Sequence, residues 1–137
     1  MQLEFEIKGK VKAKQSVKFT KGGVKYTPSD IAEYSNYVKL CFINKYPSWN
    51  VQEFVNKPLK TVINVYMQIP ESYSKKKKEL ARAGNLKPTV KPDCDNIAKN
   101  INDSLNGVAY PDDKQIVSLT INKYYADSDC VIVTISD

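Results

Sequence analysis

Between Lys91 and Gln115 the chain reads KPDCDNIAKNINDSLNGVAYPDDKQ, with five carboxylates, Asp93, Asp95, Asp103, Asp112 and Asp113, against two internal lysines, Lys99 and Lys114. Asp93 and Asp95 are one residue apart. In an extended segment they point to the same side, and two carboxylates that close repel unless a cation lies between them. The sequence contains no histidine. Imidazole is therefore excluded as general base, proton shuttle or metal ligand, and any metal must be held by oxygen. That donor set selects hard ions such as Mg²⁺ or Mn²⁺. Lys99 stands four residues after Asp95 and four before Asp103. It can form an exposed ion pair worth roughly 0.2–0.5 kcal/mol, or set an ammonium beside a phosphate whose charge grows in a transition state.

Several elements must position these groups. Pro92 restricts Lys91 and keeps the entry extended. Asp95 or Asn96 can cap a helix whose buried face carries Ile97, Ile101 and Leu105, ended by Asn106-Gly107. Cys94, pointing away from the two aspartates, reads as a small core residue, and Asp103 as a charge on the helix surface. A helix of about ten residues is ~15 Å long, and the six residues from Gly107 to Asp112 span ~20 Å when extended. A return of Asp113 to the helix start is thus feasible, and Asp93, Asp95 and Asp113 can converge. The spacing permits this without requiring it: an Asx-rich turn and a capped helix would show the same residues, and a basic DNA-binding protein with structural aspartates is the alternative to an enzyme.

The charge around this stretch has the opposite sign. Residues 1–92 carry 18 basic and 7 acidic side chains, whereas residues 93–137 carry 3 and 8. Such asymmetry points to a polyanionic partner. Lys75-Lys76-Lys77-Lys78 opens an expected helix, where four cations oppose the helix dipole and repel one another unless a phosphate backbone relieves them. Three cysteines, Cys41, Cys94 and Cys130, without a C-x-x-C pair, argue against a disulfide framework and a structural zinc site. No stretch approaches the ~20 apolar residues of a membrane span. The N-terminus lacks a signal peptide's apolar block, so the expectation is a cytoplasmic protein with no membrane partner.

The 137 residues suit one domain. Alternation of Leu3, Phe5 and Ile7 predicts a strand over 2–9. Residues 17–19 and 24–26 flank Lys21-Gly22-Gly23 as an expected hairpin. Thr27 as cap and Pro28 at the first turn predict a helix ending by Tyr46, with Ile31, Tyr34, Val38, Cys41 and Phe42 on one face. A short helix is expected over 51–55, a strand over Leu59–Ile69, and a helix over 75–83 capped by Ser72 or Ser74 and ended by Gly84. Ile116–Tyr125 and Cys130–Ser136 read as two antiparallel strands joined through Asp127-Ser128-Asp129. These elements predict an α+β fold, a mixed or antiparallel sheet covered by two or three helices.

Residues 91–119 resemble the signature of the RusA-type Holliday-junction resolvases. The shared pattern is K-P-D-x-D-N, a helix carrying a lysine, a D-x-L-N-G close and then D-D-x-Q-I. Ile69–Lys78, I-P-x-S-x-S-K-K-K-K, and the early basic strand–hairpin–helix layout with Thr27-Pro28 are also similar to that family. The resemblance implies a homodimeric endodeoxyribonuclease, dependent on Mg²⁺ with Mn²⁺ able to substitute, that nicks four-way DNA junctions symmetrically in recombination and repair. It implies that Asp93, Asp95 and Asp113 hold the metal and that Lys99 is the catalytic lysine. Asp112 matches a position usually acidic in the family but is not expected to be a main ligand. Cys94 departs from a larger aliphatic residue. On this reading Lys75, Lys76, Lys77, Lys78, Lys87 and Lys91 grip phosphates without reading sequence.

Overall fold

A computed structural model describes residues 1–13 and 28–137. The expected hairpin around Lys21-Gly22-Gly23 and the expected cap at Thr27 lie outside the described residues. Four strands, β1 (Gln2–Lys8), β2 (Leu59–Gln68), β3 (Ile116–Ala126) and β4 (Cys130–Ser136), form one mixed sheet in the order β1-β4-β2-β3. β4 runs antiparallel to both β1 and β2, and β2 runs parallel to β3. Three helices complete the α+β fold: α1 (Pro28–Lys45), α2 (Lys75–Arg82) and α3 (Cys94–Leu105).

Strand period decides which side of the sheet is covered. Leu3, Phe5 and Ile7 of β1, Leu59, Ile63 and Val65 of β2, and Val131, Val133 and Ile135 of β4 are buried on one face. Their alternate neighbours Gln2, Glu4, Glu6 and Lys8 are exposed on the other. Tyr34, Val38 and Phe42 of α1 and Ile97, Ile101 and Leu105 of α3 close over the buried face in the same core. Phe5 meets Phe42 edge-on at 5.4 Å. Residues 51–54 form a single 3₁₀ turn capped by the Asn50 side chain, and Phe54 from it is buried against Trp49.

The pairing of β3 and β4 differs from the simplest expectation. The two strands do run in opposite directions, but they do not pair, because β2 lies between them. The Asp127–Asp129 connection crosses over the end of β2. Gln68 N–H donates to the Asp129 carboxylate at 2.9 Å, and Ile69 N–H donates to the Ala126 carbonyl at 3.0 Å. Two strand spacings amount to ~10 Å, within reach of three residues. The parallel β2/β3 pair in turn needs a long crossover, and the chain from Ile69 to Gln115 supplies it with α2 and α3. That crossover carries every candidate site residue.

Candidate active site

α3 begins two residues or more before the start that a cap at Asp95 or Asn96 predicts. Asp93, with φ −70° and ψ 150°, is its N-cap, Cys94 is the first helical residue, and Asp95 lies in the first turn. The Asp93 carbonyl accepts the first helical bond from Ile97 N–H at 3.1 Å, but the Asp93 carboxylate makes no capping bond. Asp93 and Asp95 are both exposed, and neither forms an ion pair among the described residues. Two uncommitted carboxylates therefore share the positive end of the helix dipole, which favours negative charge there. Cys94 between them is half-buried, and Pro92 is buried after a cis Lys91–Pro92 bond.

Lys123 anchors this entry from β3. Its ammonium donates to the Val90 carbonyl and, at 3.1 Å, to the Pro92 carbonyl, immediately before Asp93. Sequence reasoning missed this residue. A single lysine among the apolar and aromatic positions of a strand was the available signal. Beside the entry, an open cleft of about 560 Å³ is lined by Lys10, Ile69, Glu71, Val90, Lys91 and Asp129 among others.

The far end of α3 is built differently. Gly107, at φ 73°, turns the chain back tightly, with Gly107 N–H donating to the Tyr110 carbonyl at 2.8 Å. Tyr110 is fully buried, and its hydroxyl donates to the Asn102 carbonyl at 2.8 Å. Burial raises the Tyr110 hydroxyl well above its ordinary pKa. The Trp49 indole N–H holds the Ala109 carbonyl at 2.9 Å. The return from Gly107 is thus folded onto the helix end instead of running extended to the helix start. Asp113 N–H donates to the Asn106 side chain at 2.6 Å, which fixes Asp113 at the C-terminal end of α3. Twelve helical residues separate that end from Asp93, or ~18 Å along the axis. Within one chain Asp113 does not reach Asp93 and Asp95. Among the described residues no group of three or more Asp, Glu, Cys or His stands together as a metal cage.

Asp113 instead meets Asp103. Partial burial, followed by a hydrogen bond shared with Asp103, holds the Asp113 carboxyl above its ordinary range, opposed by the Asn106 side chain. Asp103, expected as a plain surface charge, is an exposed neighbour of the third candidate carboxylate. Asp112 has a structural task. Its carboxylate accepts from Lys114 N–H at 2.9 Å, which keeps it ionised below its usual range, while its own N–H donates to the Gln115 side chain at 3.1 Å. Gln115 also donates to the carbonyls of Phe54 at 2.6 Å and Lys57 at 3.1 Å, tying the turn to the 3₁₀ segment.

Lys99 is exposed between the two ends, one helical turn from Asp95 and one from Asp103, and pairs with neither. In α2, Ser74 caps by accepting from Lys77 N–H at 3.2 Å. Lys75, Lys76 and Lys77 are exposed and Lys78 is half-buried. The Lys77 ammonium sits 4.0 Å from the Tyr73 ring centre, and that of Lys87 sits 4.7 Å from the Tyr124 ring centre. None of these lysines, nor Lys91, has a carboxylate partner among the described residues. α2 packs beside β3, and Lys87 and Lys91 lie on the chain leading from α2 into Asp93.

The protein YqaN of Bacillus subtilis (strain 168), described as uncharacterized, is 37% identical over 112 residues, spanning 80% of this chain and 76% of its own length. The family model described as endodeoxyribonuclease RusA matches residues 6–136, which takes in β2, β3 and β4, the lysine helix and both ends of α3. The chain belongs to the RusA endodeoxyribonuclease family.

Proposed function

We propose that this protein resolves four-way DNA junctions by paired, metal-dependent nicks, acting as a homodimer. The observation that carries the reading is the pair Asp93 and Asp95. Both carboxylates are exposed at the positive end of α3, and the one at the N-cap position does not cap. A surface whose lysines pair with no carboxylate among the described residues leads directly to them.

The donor set fits Mg²⁺, with Mn²⁺ able to replace it, because it consists of carboxylate oxygens alone. Asp93 and Asp95 would hold the ion, and Asp113 would complete the set. Bound there, the ion supplies Lewis-acid polarisation of a phosphodiester and neutralises the charge that builds during in-line displacement. The separation of Asp113 from the pair within one chain supports a site finished by a second copy, and a two-fold dimer would match the symmetry of a junction.

The protein's own groups act around that centre. Lys99, in no ion pair among the described residues, places an ammonium one turn from Asp95, where it neutralises a phosphate whose charge grows in the transition state. Lys87 and Lys91 hold phosphates flanking the scissile one. Lys75, Lys76, Lys77 and Lys78 contact an arm of the junction further away without reading bases. Lys123 fixes the backbone that orients Asp93.

A labelled synthetic four-way junction incubated beside a linear duplex tests the reading. Symmetric nicks in the junction alone, present with Mg²⁺ and absent with EDTA, are expected. Asp95→Asn should bind the junction at least as tightly as wild type while losing cleavage, because it removes repulsion of phosphate. Normal Mg²⁺-dependent cleavage by Asp95→Asn would overturn the metal assignment. Binding without cleavage by the wild-type protein would reduce the chain to a junction-binding protein.

A further inference from the structure

Just before the Asp93 and Asp95 carboxylates the surface opens into the cleft of about 560 Å³. That volume lies within the ~300–1,000 Å³ of small-ligand sites. Separate stretches of chain supply its apolar lining. Met67 at the end of β2, with Ile69 and Pro70 beyond it, gives one part, and Met67 and Ile69 are buried. Val90, on the chain leading into Asp93, gives another, with 55% of its surface exposed. Its backbone is fixed, because Lys123 holds the Val90 carbonyl.

The polar lining carries both signs of charge. Lys10, Lys91 and Glu71 are exposed, and none forms an ion pair among the described residues. Asp129 is half-buried and pinned. Its carboxylate accepts from Gln68 N–H at 2.9 Å, and its carbonyl accepts from Gly9 N–H at 3.0 Å. Gly9, at φ 104°, turns the chain out of β1 directly before Lys10. Apolar surface suits the faces of a nucleobase. Carboxylate oxygens suit the N–H groups on its edge, and ammonium groups suit the phosphates beside it.

We propose that this cleft receives one unstacked base of the DNA strand that passes Asp93 and Asp95. The inference rests on the nuclease reading and adds a subsite to it. Lys91 lines the cleft and Asp93 follows two residues later, so ~7 Å of chain at most separates them. Successive charges on a stacked strand advance ~3.4 Å. A base in the cleft therefore belongs to a nucleotide adjoining the phosphate at the carboxylates. Val90 and Pro70 touch its faces, Glu71 accepts from its edge, and Lys10 and Lys91 hold the flanking phosphates. Such contacts reach a base only after it leaves the helix. Extrusion is easiest where pairing is already weakened, as at the exchange point of a junction, and hardest inside a linear duplex. The cleft thereby makes the site selective for branched DNA.

Four-way junctions carrying a single 2-aminopurine at successive central positions test it, mixed with the full chain in EDTA so that no strand is cut. A several-fold rise in fluorescence is expected at one position, and none in a linear duplex. Val90→Trp, which fills the cleft, should bind the junction within several-fold of wild type yet lose the rise. Leu40→Trp, at a position of α1 that is also 55% exposed, should keep it. Glu71→Ala should weaken the rise at unchanged junction affinity, and it decides the matter if Val90→Trp does not fold by circular dichroism. A rise spread over all central positions would overturn the proposal. So would a rise that Val90→Trp or Glu71→Ala leaves intact, or one that Leu40→Trp abolishes. A junction bound without any rise strikes the cleft alone. A rise lost in Val90→Trp, from a protein that cuts no junction in Mg²⁺, strikes the nuclease reading alone, and a protein that binds no junction strikes both.

Discussion

The two ends of α3 carry carboxylates of the same chemistry in opposite circumstances. At the N-terminal end, Asp93 and Asp95 are exposed, the Asp93 carboxylate makes no capping bond, and neither forms an ion pair among the described residues. At the C-terminal end, Asp112 caps a turn, Asp113 is bonded to Asn106 through its backbone and has its carboxyl raised by burial and the neighbouring Asp103, and Gln115 ties the turn to residues 54 and 57. One end has carboxylates available to a ligand, and the other has them engaged by the fold. The lesson is that an acidic stretch read as one cluster is two groups, of which the first is free to do chemistry at little cost to stability.

Substitutions at the two ends should therefore dissociate activity from stability. Asp93→Asn is the largest expected effect: junction cleavage falls by at least ~10²-fold, the scale of losing one preorganised electrostatic contact. Its melting temperature should stay at the wild-type value, since among the described residues the carboxylate it removes caps nothing and forms no ion pair. Asp112→Ala should do the reverse. Loss of this cap lowers stability, read as a lower denaturant midpoint, with cleavage at 25 °C kept within several-fold of wild type. If Asp93→Asn unfolds the protein, or Asp112→Ala leaves stability untouched, the division between the two ends is wrong.

Lys123→Met tests a residue that acts through the first of these ends. It removes two hydrogen bonds from the carbonyls of Val90 and Pro92, at about 1 kcal/mol in net stability. Because the lost bonds sit directly before Asp93, cleavage should fall through a higher Mg²⁺ requirement, not through weaker junction binding. Equal loss of binding and cleavage would make Lys123 a phosphate contact and not a positioning residue.

Much of this arrangement could be read from the residues alone. Strand period in Leu3–Ile7 and Leu59–Gln68, and the helical spacing of Ile97, Ile101 and Leu105, are local signals and became the elements they predicted. What escaped was non-local. β3 and β4 are neighbours in sequence, which favours a hairpin, but β2 pairs with both, and the Asp129 carboxylate on Gln68 N–H holds the connection across its end. The reach of residues 107–112 allowed Asp113 to return to the helix start. Nothing in the spacing showed that Tyr110 would be buried under the helix and the return folded short. The cap of α3 lies at Asp93 and not at Asp95 or Asn96, because residues of all three kinds can occupy a cap position.

The smallest expected effect is the most direct reading of the far end. Asp113 sits partly buried beside Asp103, so its carboxyl is raised above the ordinary 3.8. A carboxylate with a raised folded value binds its proton more tightly folded than unfolded, so ionising it costs stability. That cost is absent below the ordinary value, grows as pH rises through the folded value, and is full at neutral pH. In EDTA, Asp113→Asn should therefore melt slightly above wild type at pH 7, and the difference should vanish as pH falls below 3.8. The side chain's partial exposure keeps the gain small. In Mg²⁺ the order should change: if Asp113 completes the site, wild type gains stability from the ion and Asp113→Asn gains less. A variant that keeps its advantage in Mg²⁺ and still cleaves junctions would leave Asp113 as a strained neighbour of Asp103, and the free pair at the other end of α3 as the whole of the site.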